Sequence, residues 1–200
     1  WLDIDYGTYP FVTSSNTTSG AACTGGGLAP NRIDRVIGVL KAYSTRVGSG
    51  PFPTELTEAT GQLLRSRGGE FGATTGRPRR CGWFDAVATR YAVMLNGASR
   101  VALTKMDVLD TLDTLRLCTA YQLGDRQVTE MPVESAVLAQ AVPVYEEMPG
   151  WQQDTTGARS YRELPRRARA YVSRLMELCG TKLSIVSVGP KRDQTFVVGR

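Results

Sequence analysis

Phe84-Asp85-Ala86-Val87-Ala88-Thr89-Arg90-Tyr91-Ala92-Val93-Met94-Leu95-Asn96-Gly97-Ala98-Ser99-Arg100-Val101-Ala102-Leu103-Thr104-Lys105-Met106-Asp107 is the stretch that decides the fold class. Phe84, Val87, Ala88, Tyr91 and Leu95 recur at helical spacing and predict a helix beginning near Phe84 with one apolar side. Val101-Ala102-Leu103 is a short continuous apolar run, the pattern of a strand buried on both faces. It passes directly into the polar loop Thr104-Lys105-Met106-Asp107. A helix feeding a buried strand that ends in a polar loop is the building unit of α/β folds, which place ligands beyond the carboxyl ends of their strands.

The same alternation extends in both directions. Pro30, suited to a first helical position, opens an apparent amphipathic helix carrying Ile33, Val36, Ile37, Leu40 and Tyr43 and ending near Ser44. A turn-rich loop follows from Arg46 to Pro51, then a helix over about Thr57 to Arg67 that stops at Gly68-Gly69. Downstream, Leu115 to Tyr121 alternates as a half-exposed strand, and Gly124 to Pro132 reads as a hairpin turn with its return. Glu134 to Trp151 contains Pro143, Pro149 and Gly150 and reads as irregular. A last helix begins at Pro165, buries Ala168, Tyr171, Val172, Leu175 and Leu178, and ends at Gly180. Strands follow at Leu183 to Val188 and Thr195 to Val198. At the other end, Leu2 to Thr13 reads as a strand region broken by Gly7 and Pro10. The polar run Thr13 to Gly20 and the Gly25-Gly26-Gly27 segment read as ordered loops. The expected fold is α/β, with a mainly parallel sheet and flanking helices.

The chain has 200 residues, a formal charge of +5, four cysteines and no histidine. Its length suits one domain or a large part of one. Basic residues are interspersed with acidic ones, so a nucleic-acid stripe is not expected. No membrane span or secretory signal is expected either, and a cytoplasmic location follows. Cys23, Cys81, Cys118 and Cys179 lack metal-ligand spacing and read as reduced thiols, with Cys118 a small buried hydrophobe. A reaction needing imidazole acid–base chemistry would have to draw it from elsewhere.

Three segments carry chemistry. Gly72 to Arg80 combines the hydroxyls of Thr74 and Thr75 with Arg77, Arg79 and Arg80, and Gly72 and Gly76 are expected to free backbone amides. Guanidinium forks grip carboxylate or phosphate bidentately, so this is an expected anion loop; the bland alternative is a solvated basic turn. In Thr104-Lys105-Met106-Asp107, a carboxylate could accept the adjacent N1–H and N2–H of guanine together, and the Lys105 stem could lie along the base. Its alternative is a strand-end Asp capping the next helix. Ser187-Val188-Gly189-Pro190 is another loop following a buried strand, whose amides could meet a base carbonyl. No Walker A phosphate loop occurs.

Taken in order, several stretches resemble adenylosuccinate synthetase: Gly7 to Thr18, Leu40 to Gly48, Gly50 to Leu56, Glu70 to Arg77 and Leu103 to Asp110. The resemblance covers essentially the whole chain and places residues 1–200 in the C-terminal part of that family's P-loop-NTPase-like domain. The N-terminal half, with the phosphate loop, is expected to be absent. The resemblance implies a ligase of AMP biosynthesis that joins IMP to L-aspartate with GTP and Mg²⁺. It phosphorylates the IMP 6-oxygen and then displaces that phosphate with the aspartate amine. The family's catalytic Asp and His, and its metal ligands, fall outside this chain, so no catalytic or metal-binding residue is assigned here. The intact family enzyme is expected to be a homodimer.

By position, the resemblance implies IMP contacts at Thr13, Val47 and Arg77. It implies an aspartate loop of Ala73, Thr74, Thr75, Gly76, Arg77, Pro78 and Arg79. GTP contacts are implied at Arg79, Lys105, Met106, Asp107, Ser187, Val188 and Gly189. Pro78 departs from the family's arginine run, and Val188 stands where threonine is common. The expected function is the aspartate- and guanine-recognising part of this ligase, inactive alone. The alternatives are an isolated guanine-nucleotide or dicarboxylate binding module, and a structural fragment without ligand affinity.

Overall fold

The structure, a computed structural model, describes residues 1–198. In chain order the elements begin with α1 (Ala21–Thr24), β1 (Ile37–Lys41), β2 (Ser44–Arg46), α2 (Ala59–Gly68), β3 (Arg80–Gly82), β4 (Phe84–Asp85), α3 (Ala86–Asn96) and β5 (Arg100–Thr104). They continue with β6 (Thr114–Leu123), β7 (Arg126–Val128), α4 (Ser135–Leu138), β8 (Val142–Pro149), α5 (Arg166–Cys179), β9 (Lys182–Ser187) and β10 (Thr195–Val197).

The principal sheet has the order β1-β5-β9-β10, with β1, β5 and β9 parallel and β10 antiparallel at one edge. This is the mainly parallel sheet expected. A second sheet centres on β6, which pairs with β4 in parallel and with β7 and β8 in antiparallel fashion. β2 and β3 form a separate antiparallel pair. Among the described residues no helix is long and apolar enough to cross a membrane.

The expected boundaries hold where caps determine them. Asp85 accepts the Ala88 amide at 3.0 Å and starts α3, two residues after the expected Phe84. Gly69 and Gly180 adopt left-handed backbone at the ends of α2 and α5, a conformation that costs a glycine little. α5 buries Ala168, Tyr171, Val172, Leu175 and Cys179. Its Tyr171 hydroxyl donates to the Ala42 carbonyl at 2.7 Å, so this helix also supports the β1–β2 connection.

Four expectations are overturned. The segment after Pro30 is a single 3₁₀ turn, Pro30–Arg32, followed by β1 rather than by a helix. Val36-Ile37-Gly38-Val39 fits a helical face or a β-branched strand equally, and parallel pairing with β5 decides for the strand. The supposedly irregular region holds α4 and all of β8, where Pro143 and Pro149 face Tyr121 and Thr114. β8 is an edge strand, where proline is tolerated because one side of the ladder needs no donors. β6 is more deeply placed than its alternation implied, with Leu115, Leu117, Cys118, Ala120 and Tyr121 all buried. Residues 2–13 form turns held by Asp3, which accepts the amides of Asp5, Tyr6 and Thr17, and no strand forms there.

Candidate functional site

β5 and β9 are parallel neighbours, so both loops at their carboxyl ends open on the same side of the sheet. There Lys105 takes left-handed backbone (φ 64°), and a 3₁₀ turn over Met106–Leu109 follows. A cleft of about 350 Å³ is lined by Arg67, Gly68, Gly69, Thr104, Lys105, Asp107, Ser187, Gly189 and Pro190. The end of α2 forms its third wall. Lys105 Nζ donates to the Gly68 carbonyl at 2.6 Å, which anchors the lysine stem along that wall. Arg67 donates to the Asp107 carbonyl at 3.1 Å and to Thr111 Oγ1 at 3.2 Å.

Asp107 is the unusual group. Its Oδ1 is buried without a hydrogen-bond partner. Burial pushes its carboxyl pKa up, against the pull of its own backbone amide and of the Lys105 and Arg67 charges. A partnerless buried carboxylate oxygen is costly to the free protein, which marks it as a group poised for a donor from outside. Lys105, Asp107, Ser187 and Gly189 are thus brought together. Met106 and Val188 are not: both side chains lie in the core, and the Val188 amide is spent on the Gln194 carbonyl at 2.9 Å. The Ser187 hydroxyl donates to the Gly189 carbonyl at 3.0 Å.

The Gly72–Arg80 segment is a tight exposed turn on a two-residue base. The Gly72 amide donates to the Arg77 carbonyl at 2.8 Å, and the Gly76 amide to the Gly72 carbonyl at 2.9 Å. Both amides are therefore consumed inside the loop, contrary to the expectation that they stand free. Residues 73–78 are exposed, leaving the Thr74 hydroxyl and the Arg77 side chain facing outward. Thr75 Oγ1 accepts from the Arg77 amide at 3.4 Å. Pro78 faces Phe71 at a position where the adjacent residues make the bonds, Gly72 to Arg77 and Arg79 to Glu70. Its missing N–H leaves no ladder bond unmade, which accounts for a proline there.

The three arginines differ. Arg77 is exposed. Arg79 donates to the buried Glu70 carboxylate at 2.8 Å and remains 31% exposed. Arg80 is a structural clamp, not an anion ligand: it grips Glu55 with two nitrogens and donates to the carbonyls of Gly48 and Gly50. By that clamp it fixes the loop that presents Val47, which is 56% exposed.

Arg46 lies beneath Val47 and is almost wholly buried. It donates to Thr8 Oγ1 at 2.8 Å, the Phe11 carbonyl at 3.0 Å and the Ser49 carbonyl at 3.0 Å. Burial and the neighbouring Arg80 charge lower its pKa to about 10. It ties the turn that leads to Thr13 onto the loop that carries Val47. Thr13 itself is half-buried, its amide bonded to the Leu2 carbonyl at 2.8 Å. Sequence reasoning missed Arg46, Glu70 and Arg67, because each acts through partners distant in sequence: Thr8 and Phe11 for Arg46, Lys41 and Tyr43 for Glu70, and Asp107 and Thr111 for Arg67.

The family model described as adenylosuccinate synthetase matches residues 1–196. The chain is 60% identical over 196 residues to adenylosuccinate synthetase from Saccharopolyspora erythraea and 57% identical over 197 residues to that from Geotalea uraniireducens. Each match covers 98% of this chain and 46% of the relative, so the chain spans about half the length of these relatives. The solved structure of fully ligated adenylosuccinate synthetase from Plasmodium falciparum superposes with a TM-score of 0.95 at 40% identity, covering 98% of this chain and 47% of that one. A cyanophage succinoaminodeoxyadenylate synthetase shares the fold at a TM-score of 0.55 and 19% identity. The chain belongs to the adenylosuccinate synthetase family.

Proposed function

We propose that residues 1–200 form the C-terminal, guanine- and aspartate-recognising part of a GTP-dependent ligase joining IMP to L-aspartate. The observation that carries this is the Asp107 carboxylate, whose buried Oδ1 lacks a partner in a cleft walled by Lys105, Ser187 and Gly189. Guanine offers two adjacent donors, N1–H and N2–H, to one carboxylate, whereas adenine offers no such pair. Arg77 and Arg79, with the Thr74 and Thr75 hydroxyls, supply the charge and donors to hold a dicarboxylate. Val47 and Thr13 lie on the two segments that Arg46 binds together, a suitable edge for IMP.

GTP in this reaction supplies the phosphoryl group that activates the 6-oxygen of IMP. Among the described residues no group of three or more His, Cys, Asp or Glu side chains could hold a metal ion. The residues present fit a base and a dicarboxylate rather than Mg²⁺. The chain's own part is to bind and orient.

The chain alone is accordingly expected to form no adenylosuccinate from IMP, L-aspartate, GTP and Mg²⁺. Titration of the ¹⁵N-labelled chain with GDP is expected to shift the amides of residues 104–107 and 187–189, and L-aspartate those of residues 72–79. Adenylosuccinate formation by the chain alone would overturn the division of labour. Silence of both sets of amides at millimolar ligand would favour a structural fragment.

A further inference from the structure

Glu70 stands between the two surfaces, two residues before Gly72 and one after the Gly68–Gly69 end of α2. Its side chain is fully buried. Burial works to raise its pKa, but hydrogen bonds from Lys41, Tyr43 and Arg79 outweigh this and hold the carboxyl below its usual range. Oε1 accepts from the Tyr43 hydroxyl at 2.6 Å, and Oε2 accepts from Lys41 at 2.7 Å and Arg79 at 2.8 Å. The Glu70 carbonyl also takes the Arg79 amide at 2.9 Å. Two cations on one carboxylate leave an excess positive charge, and Lys41 and Arg79 are 26% and 31% exposed.

The contact continues toward the base cleft. A Cβ added to Gly68 would lie 2.1 Å from the Tyr43 hydroxyl and 3.1 Å from Glu70 Cγ. Tyr43 and Glu70 therefore pack directly against the turn whose Gly68 carbonyl holds Lys105. Desolvation offsets attraction in a buried ion cluster, so this one adds little stability, but it holds three donors within 2.6–2.8 Å of a single carboxylate.

We propose that Glu70 is a positioning residue for both recognition surfaces. Its carboxylate sets Arg79 and Lys41 for an anion, and its contact with Tyr43 sets the Gly68 turn that holds Lys105 in the base cleft. This rests on the guanine and dicarboxylate assignment above.

Two variants of the full chain test it, Glu70→Gln and Gly68→Ala, with GDP and L-aspartate as probes. Without ligand, Glu70→Gln is expected to speed hydrogen exchange at the Gly72, Gly76 and Arg79 amides by about tenfold or more, with amides inside α5 unchanged. With ligand, Glu70→Gln is expected to weaken L-aspartate by about tenfold and GDP by about threefold, and Gly68→Ala to reverse that order. A purely structural role would instead lower both affinities alike. An equally destabilised control in the separate second core, Leu138→Ala, would then do the same. Unchanged exchange at Gly72, Gly76 and Arg79 in Glu70→Gln overturns the proposal, whether or not either probe binds. Failure of the underlying assignment looks different: Asp107→Asn would leave GDP binding unaltered while the exchange result stood.

Discussion

Replacing Asp107 by asparagine should strengthen the free chain while reversing its choice of base. In the free chain the Oδ1 of Asp107 is buried without a partner, and burial raises its pKa. A carboxamide of the same shape removes the charge from that partnerless oxygen, a gain of about 1 kcal/mol after discounting for partial exposure. For a domain of this size that is a rise in Tm of roughly 2–4 °C. The sign with pH follows from the direction of the shift. A raised carboxyl pKa means the native chain takes up a proton before the unfolded chain does, so Asp107 costs most near neutral pH. The advantage of Asp107→Asn should therefore be largest there and fade as pH falls through the native and then the unfolded pKa.

Ligand binding should move the other way. The carboxylate accepts from both N1–H and N2–H of guanine, whereas a carboxamide accepts from one and opposes its own N–H to the other. Loss of a charge-assisted bond with an N–H left facing a donor is worth about 3 kcal/mol, roughly a hundredfold in GDP affinity. Xanthine carries a carbonyl at C2, which matches the carboxamide's donor, so xanthosine diphosphate should gain what GDP loses. Thermal unfolding at several pH values, with titrations of both nucleotides, measures each part. A Tm lowered by several degrees, or an unchanged ratio of GDP to xanthosine diphosphate affinity, would refute the reasoning.

Pro78→Arg should lose no hydrogen bond and cost at most about 1 kcal/mol, through greater freedom of the unfolded chain, as urea unfolding would show. Arg80→Ala removes the grip on Glu55 and leaves the Gly48 and Gly50 carbonyls without their donor; a loss of about 2 kcal/mol is expected in the same assay, and a loss below about 0.5 kcal/mol would contradict the clamp. Asp85, buried at the start of α3 and bonded to Tyr121 at 2.6 Å, has its pKa raised by burial to about 6 from 3.8. Its contribution therefore grows as pH falls through 6 and is complete below 3.8, about 3 kcal/mol in all. Glu70 is shifted the opposite way and loses its contribution as pH falls, so the measurement is the difference between the parent chain and Asp85→Asn at pH 7 and at pH 4. A difference independent of pH would refute the assignment.

The sequence alone determined what local chemistry controls. Helix ends at Gly69 and Gly180 follow from the low cost of left-handed glycine, and β5 follows from an uninterrupted apolar run. The ordered stretches shared with the family were legible as well, because they are contiguous. Tertiary structure decided whatever depends on a partner far along the chain. β1 is a strand because β5 lies beside it, and β8 tolerates Pro143 because it is an edge. The opening of the base cleft needs α2 as well as the two strand ends, which no single segment announces. Gly72 and Gly76 looked like free amide donors in sequence, but the closed turn spends both. Most of all, three neighbouring arginines look alike as letters. Arg80 is committed to Glu55, Arg79 is held at one nitrogen by buried Glu70, and Arg77 faces solvent. Charge is a property of the residue, but its availability is set by the carboxylates that folding brings within reach.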